Sequence, residues 1–353
     1  MEFEVDMLAM GEESRSGDAI ALRFGKLNGR RDEQMIVVID GGTKDSGERL
    51  VSHINQYYSA MNRVDFVFAT HLDCDHVNGL KVVVDKMDVG ALLMHQPWNH
   101  AADIKRDFRD RRFTVTALAS KIERAIADAS ELEDIANRKG VKIIEPFAGA
   151  ATQDNTIHVL GPTEDYYCSL ICDFRNTPAA KAATAGLYTR TVTAVQEAVK
   201  RVMETLQIET LDDSGTTSAE NNSSAIVLFT FNGQKLLFTG DAGIDALARA
   251  ADYAASLGVS LSDLRFLDVP HHGSHHNVGP KILNRVKATT AFVSAAKKAE
   301  KHPSKKVVNA LIRRGAKVYS TQGANLCHHS TGAPARSTYT AATPLPFTEF
   351  FEE

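Results

Sequence analysis

Apolar positions along the chain fall into two periodicities. Short apolar or alternating runs at residues 19–24, 35–39, 64–69, 91–95, 226–231, 235–238, 264–269, 290–294 and 317–320 are bounded by Gly, Asp, Asn or Pro. They predict strands, and so a mixed sheet core. Between them Leu118, Ile122, Ile126, Ala129 and Leu132 recur near helical spacing until Gly140 offers a C-terminal stop, which predicts one amphipathic helix. Val192, Val195, Val199, Val202 and Leu206 predict a second. That second helix lies in a polar excursion, residues 163–220, ending in the loop-like Asp212-Asp213-Ser214-Gly215-Thr216-Thr217-Ser218. The excursion reads as an insertion covering a site or a partner surface. No internal repeat and no strong linker divides the chain. The expectation is one α/β domain over 1–353, with helical insertions at about 98–139 and 163–220.

Composition narrows the class without changing this outline. With 353 residues, 43% hydrophobic and 24% charged, and only 10 Pro and 23 Gly, the chain is long and apolar enough for a substantial core. Wholesale disorder, a collagen repeat and a coiled coil are excluded. Forty Lys and Arg against 44 Asp and Glu give a net charge of -4, which lacks the excess of a dedicated nucleic-acid coat but leaves room for local basic surface. No apolar stretch approaches the roughly 18 to 20 residues of a spanning helix, and Met1-Glu2-Phe3-Glu4-Val5-Asp6 is acidic where a signal peptide is basic and then apolar. No membrane association and a cytoplasmic location are therefore expected; oligomeric state is not legible. Cys74, Cys168, Cys172 and Cys327 are too scattered for a disulfide framework and read as reduced thiols.

The strongest chemical signal is His71-Leu72-Asp73-Cys74-Asp75-His76, directly after the run at 64–69 and before a helix-like segment at 77–85. Imidazole nitrogens and carboxylate oxygens bind divalent first-row cations, and a loop leaving a strand can turn alternate side chains toward one point. If His71 and Asp73 serve one ion, Asp75 and His76 can serve a second. Asp241, in Phe238-Thr239-Gly240-Asp241, places a carboxylate at another strand tip, where glycine lets the backbone pass close to a ligand. It suits a bridging ligand. The tract Val269-Pro270-His271-His272-Gly273-Ser274-His275-His276 follows a third strand; one or two of its histidines are candidate ligands, and His275 and His276 are expected to be solvated.

With these residues in place, the sequence resembles the metallo-β-lactamase superfamily of metal-dependent hydrolases. Within it the chain is similar to the stand-alone relatives of the hydrolase domain of the DNA-uptake competence protein ComEC. The superfamily signature His-x-His-x-Asp-His reads here His71-x-Asp73-x-Asp75-His76, the carboxylate-substituted form of that branch. Other elements fall in family order: Gly17-Asp18-Ala19-Ile20, Val38-Ile39-Asp40-Gly41-Gly42, Val159-Leu160-Gly161-Pro162, Asn221-Asn222-Ser223-Ser224, Thr239-Gly240-Asp241, Val269 through Ser274, and His302-Pro303.

The resemblance implies a four-layer αββα sandwich with the site along one edge. It also implies two divalent metal ions, zinc or manganese: His71 and Asp73 at the first, Asp75 and His76 at the second, Asp241 between them, and His271 completing the set. A further histidine usual in the family has His158 as its nearby candidate, although His158 sits inside a strand-like run. Two cations roughly 3.5 to 4 Å apart lower the pKa of a bridging water and stabilise charge on the reacting oxygens. Asp75 could orient that nucleophile, and His272 or Ser274 could bind the oxyanion. The branch is associated with nuclease activity. Two basic segments could meet phosphate: Lys105, Arg106, Arg109, Arg111 and Arg112 around Phe108, and Lys297, Lys298, Lys301, Lys305 and Lys306 around His302. A phosphodiesterase or nuclease acting on nucleic acid or a nucleotide is the leading expectation. Its rivals are a small-molecule hydrolase (cyclic nucleotide, lactone or thioester) and a non-catalytic binding module of the same fold.

Overall fold

The computed structural model describes residues 1–10, 16–58, 61–108, 110, 112–175, 177, 209–337 and 340–349. The expected helix over 192–206 and much of the excursion lie outside the described residues, as do Arg109 and Arg111.

Two sheets form the centre. The first contains β1 (Glu2–Met7), β2 (Ala19–Gly25), β3 (Gln34–Gly41), β4 (Arg63–Phe68), β5 (Asp88–Leu93), β6 (Lys142–Ile144) and β13 (Leu326–His329), in the order β13-β1-β2-β3-β4-β5-β6. The second contains β7 (Ile157–Gly161), β8 (Ile226–Phe231), β9 (Gln234–Phe238), β10 (Leu264–Asp268), β11 (Ala288–Val293) and β12 (Lys317–Ser320), in the order β12-β11-β10-β9-β8-β7. Each sheet is part antiparallel and part parallel: β3, β4, β5 and β6 run parallel, and so do β9, β10, β11 and β12, while β13 closes the first sheet antiparallel to β1.

The parallel crossovers carry helices, α1 (Lys44–Tyr57) and α2 (Cys74–Lys86) in the first half, α6 (Ile244–Ser256), α7 (Pro280–Arg285) and α8 (Lys305–Arg313) in the second, numbered to leave room for the insertion helices α3 (Val115–Ala125), α4 (Ala127–Lys139) and α5 (Glu164–Ile171). Period-two alternation then sorts side chains into layers. On β3, Val37 and Ile39 join a core shared with Phe229, Phe238 and Phe266 of the other sheet, while Ile36 and Val38 face Leu50 of α1 and Leu80 of α2. On β8, Val227 and Phe229 face inward, while Ile226 and Leu228 pack with Ala250 of α6 and Val307 of α8. Three separate cores between layers make the four-layer αββα sandwich expected from the sequence.

Three strands escaped the pattern. In β1 the residues alternating with Phe3, Val5 and Met7 are acids, yet Glu4 and Asp6 are buried, bonded by Arg336 at 2.7 and 3.0 Å. An alternation whose polar side is also buried reads as a solvated segment until its partners are known. The strands β6 and β13 are only three and four residues long.

The expected single helix through residues 118–132 is two. The chain leaves helical geometry at Ile126 (φ -125, ψ 53), and the halves serve different cores. Leu118 and Ile122 of α3 join Phe108, Tyr167 of α5 and Ile171, whereas Ala129, Leu132 and Ile135 of α4 join the layer beneath the first sheet. Gly140 terminates α4 in the left-handed conformation (φ 69), as its position suggested. Lys81 of α2, 4% exposed, bonds Asp128 and Glu131 of α4 at 2.6 Å each, so the first insertion braces the helix that begins at the candidate site. The four cysteines are free. Among the described residues, no helix is long and apolar enough to cross a membrane.

Candidate metal centre

The candidate ligands outside α2 sit where strands end. His71 follows β4, Asp241 follows β9, His271 and His272 follow β10, and Asp18 precedes β2. The carboxyl ends of parallel strands open a crevice along one edge of the sandwich, where α/β sheets place their ligands. Backbone close to the site is bent into the left-handed region at three residues that are not glycine: Asp40 (φ 54), His271 (φ 49) and His272 (φ 55). Such conformations are costly for L residues and persist where surrounding contacts impose them. Gly240 (φ 49) is required for a steric reason, since a Cβ there would lie 2.5 Å from Thr70 Oγ1.

Asp73 is the N-cap residue of α2, which puts Asp75 and His76 in the first turn; the Asp73 side chain makes no capping bond and stays available for other partners. Around Asp241, 4% exposed, three imidazole Nε2 atoms converge: His71 at 3.7 Å, His76 at 3.6 Å and His271 at 3.6 Å. These separations exceed a hydrogen bond. They approach the roughly 3.3–3.4 Å between neighbouring ligands on a tetrahedral ion with bonds of about 2.0–2.1 Å. His71 Nε2, His76 Nε2 and Asp241 Oδ1 are buried without a hydrogen-bond partner. Two further triads with donor atoms within 4.8 Å of one another share a histidine: Asp75, His76 and His272, and Asp18, Asp241 and His272. A set of nitrogen and carboxylate donors, buried, convergent and unsatisfied by one another, fits a divalent cation.

The far sides of the rings are held. His76 Nδ1 bonds Asp40 Oδ2 at 2.7 Å, and Asp40 is itself fixed by the Thr70 N–H (2.8 Å) and the Thr70 hydroxyl (2.6 Å). Asp40, His71 and His76 also lie close enough to hold an ion, but the Asp40 carboxylate is already spent on these bonds, which makes it an orienting partner. His271 Nδ1 meets Asn277 Oδ1 at 2.8 Å, His71 Nδ1 meets Thr70 Oγ1 at 3.2 Å, and His272 Nδ1 stands 3.5 Å from Asp18 Oδ1.

The electrostatics follow from this crowding. Burial works to lower the His76 pKa, but Asp241 and Asp40 raise it well above the usual imidazole value. Burial raises Asp241, yet His76, His271, His272 and His71 together hold it below the ordinary carboxylate range. His71 is lowered by burial and by its neighbour His76, whose ring lies 4.2 Å away. Asp268, buried among Asp18 and Asp40, is raised well above its usual value.

The expected site residues do not all fall together. His71, Asp75, His76, Asp241, His271 and His272 meet around one space. Asp73 lies 4.0 Å from His71, but both of its oxygens contact Arg175 Nη2, at 2.7 and 2.5 Å. His272, expected at the oxyanion, is among the donors of both overlapping triads. Ser274 is buried and its Oγ accepts the His276 N–H at 3.3 Å, closing the local turn. His302 stands beside the centre, its ring 5.9 Å from that of His271; burial and the nearby His272 and His271 push its pKa down to about 4. Lys301 is exposed next to it in the chain, and His276 is exposed while His275 is half-buried. His158, on β7, pairs with Leu228 of β8 and belongs to none of the described clusters. Phe108 is 1% exposed, a core residue of the insertion unavailable for stacking, and Arg112 beside it is tied to Asp110 at 2.9 Å.

Asp18, Asp40, Thr70, Asn277 and Arg175 received no role from the sequence. For Asp18 and Asp40 the signal existed: each is an acid beside a glycine at a strand end, the pattern that singled out Asp241.

No family model matches the chain, and none of the curated proteins does. Among solved structures, it is similar to a protein from Thermotoga maritima described as a metallo-beta-lactamase (10% identity, TM-score 0.35, 68% of this chain and 79% of that one). It is also similar to a variant of the CmlA beta-hydroxylase (9%, TM-score 0.45, 93% and 54%), of which it spans about half the length, and to AbOPH, a hydrolase in the beta lactamase superfamily (12%, TM-score 0.31, 72% and 72%). At these identities and scores the likenesses carry no argument about what this chain binds or cleaves.

Proposed function

We propose that this protein is a metal-dependent hydrolase whose substrate is a phosphodiester. One observation carries the first half: the buried, unpartnered Nε2 atoms of His71 and His76 converge on Asp241 at 3.7 and 3.6 Å. Four buried carboxyl groups, Asp18, Asp40, Asp241 and Asp268, crowd the same edge, an arrangement that is costly without a compensating cation. His76, Asp75, Asp241 and His272 would hold a divalent ion, zinc or manganese, with Asp40 fixing the His76 ring from behind and Asp18 adding a carboxylate 3.5 Å from His272 Nδ1. Such an ion lowers the pKa of bound water toward neutrality and polarises the attacked bond.

The chain's own groups do the rest. Asp75, less buried than the other acids, is placed to accept a hydrogen bond from the attacking water and hold it toward substrate. His302 borders the centre, its ring 5.9 Å from that of His271. The choice of phosphodiester rests on the exposed lysines Lys298 and Lys301 beside His302. Around Phe108 the basic segment loses its stacking ring to the core, so the lysines near His302 support nucleic-acid contact better.

Ion content of the purified protein, with hydrolysis of an aryl phosphodiester and an aryl lactone under zinc and manganese, tests this. Bound metal and phosphodiester turnover are expected. Lactone turnover alone would overturn the substrate class, and absence of both metal and turnover would leave a binding module. If the substrate is a polynucleotide, its binding should weaken steeply as salt rises.

A further inference from the structure

The donors on the two sides of Asp241 are not equivalent. On one side, Asp75, His76 and His272, with Asp18 behind, form two interlocked triads, and apart from Asp75 these groups are buried. On the other, His71 Nε2 and His271 Nε2 face Asp241 Oδ2 at 3.7 and 3.6 Å, and Asp73 Oδ2 stands 4.0 Å from His71 Nε2. Those four groups would form a second complete donor set but for one feature. Both Asp73 oxygens contact Arg175 Nη2, while Arg175 Nε bonds Glu220 Oε1 at 3.0 Å and the Arg175 N–H bonds the same oxygen at 2.5 Å.

We propose that Arg175 takes the place of a cation on the His71 side, pinned by Asp73 and Glu220, so that the centre holds one divalent ion tightly on the His76 side and binds a second only weakly. This rests on the metal-dependent reading above. A guanidinium keeps its charge at any working pH and occupies carboxylate lone pairs that an ion would need. Asp73 is free to take this partner because it makes no capping bond to α2. Glu220 fixes the guanidinium at a second point, so Arg175 is held in place and is no mobile competitor.

Titrating the metal-stripped full-length chain with Mn²⁺, followed by calorimetry and by electron paramagnetic resonance, tests the proposal. Wild type is expected to take up one ion tightly, with the hyperfine-split spectrum of an isolated ion. Arg175→Ala should raise the affinity of a second ion by at least roughly tenfold and produce a spin-coupled pair. Arg175→Lys, which keeps a positive charge but loses the two-point anchor, should fall between wild type and Arg175→Ala, and Asp73→Ala should keep the tight ion. Should Arg175→Ala fail to fold, Glu220→Gln removes one anchor and should show the same gain in smaller measure. Two equally tight ions in wild type, an unchanged second affinity in the foldable variants, or loss of the tight ion in Asp73→Ala would each overturn the inference while leaving the hydrolase reading intact. A wild-type chain that binds no ion overturns both.

Discussion

Two groups of histidines, one around Asp241 and one around Tyr167, behave in opposite ways. Around Asp241 the imidazoles have their far nitrogens tied to Asp40, Thr70 or Asn277 and their near nitrogens aimed at one carboxylate. Around Tyr167 the ring of His95 stacks on the tyrosine at 4.2 Å, lies 4.8 Å from Phe147, and leaves both nitrogens unpartnered. Glu145 in that second group turns to His100, at 3.1 Å, and stands 4.0 Å from His95. Burial is therefore shared by both groups and distinguishes neither. Convergence of donors on a common point, backed by oriented partners, marks the first as a centre for a cation; the second is a packed aromatic corner that happens to contain imidazole.

The contrast can be attacked experimentally. The largest effect should come from Asp241→Ala, which removes the group shared by both sides of the centre. Ion content should fall to background, and hydrolysis by more than the roughly 10- to 100-fold that loss of an orienting partner costs. Asp40→Asn should fall within that smaller range, measured as a weakened metal affinity in a chain that still folds, because only the support behind His76 is lost.

For the aromatic corner the expected signal is in stability. Burial, with a smaller push from His100, lowers the His95 pKa from 6.5 to about 3, so its neutral form is the one the fold accepts. The unfolded chain binds that proton more readily, so stability is complete above the unfolded value and is lost as pH falls through the interval toward about 3. Denaturant titrations of wild type and His95→Phe between these limits should differ by an amount growing to the order of several kcal/mol. The smallest expected change closes the series: at neutral pH His95→Phe should leave ion content and hydrolysis unaltered and stability equal or slightly higher, since it replaces two unsatisfied buried polar atoms by carbon. A loss of metal in that variant would erase the distinction between the two groups.

Nine predicted strands appear within a few residues of their expected positions, because apolar alternation reflects a face buried on one side whatever lies across from it. The motif His71 to His76 and the Gly240-Asp241 tip were visible for a related reason: chemistry concentrated in a few consecutive residues stands out from any background. Asp18 and Asp40 are harder to single out, since an acid at a strand end is ordinary until a ring nitrogen is found 2.7 Å from it, as for Asp40. The break at Ile126 was invisible because residues on either side keep helical spacing while facing different cores.

Local periodicity thus sufficed for the strands, and short-range clustering for singling out the run from His71 to His76, because both are properties of neighbours in the chain, whereas the layering was implied only by the family resemblance. Which nitrogen faces which oxygen was settled in three dimensions: the burial of Glu4 and Asp6, the support of His76 by Asp40, and the capture of Asp73 by Arg175 from 102 positions away. Each is an electrostatic pairing between distant segments. Nothing in the spacing of residues encodes such a pairing until folding brings those distant segments together.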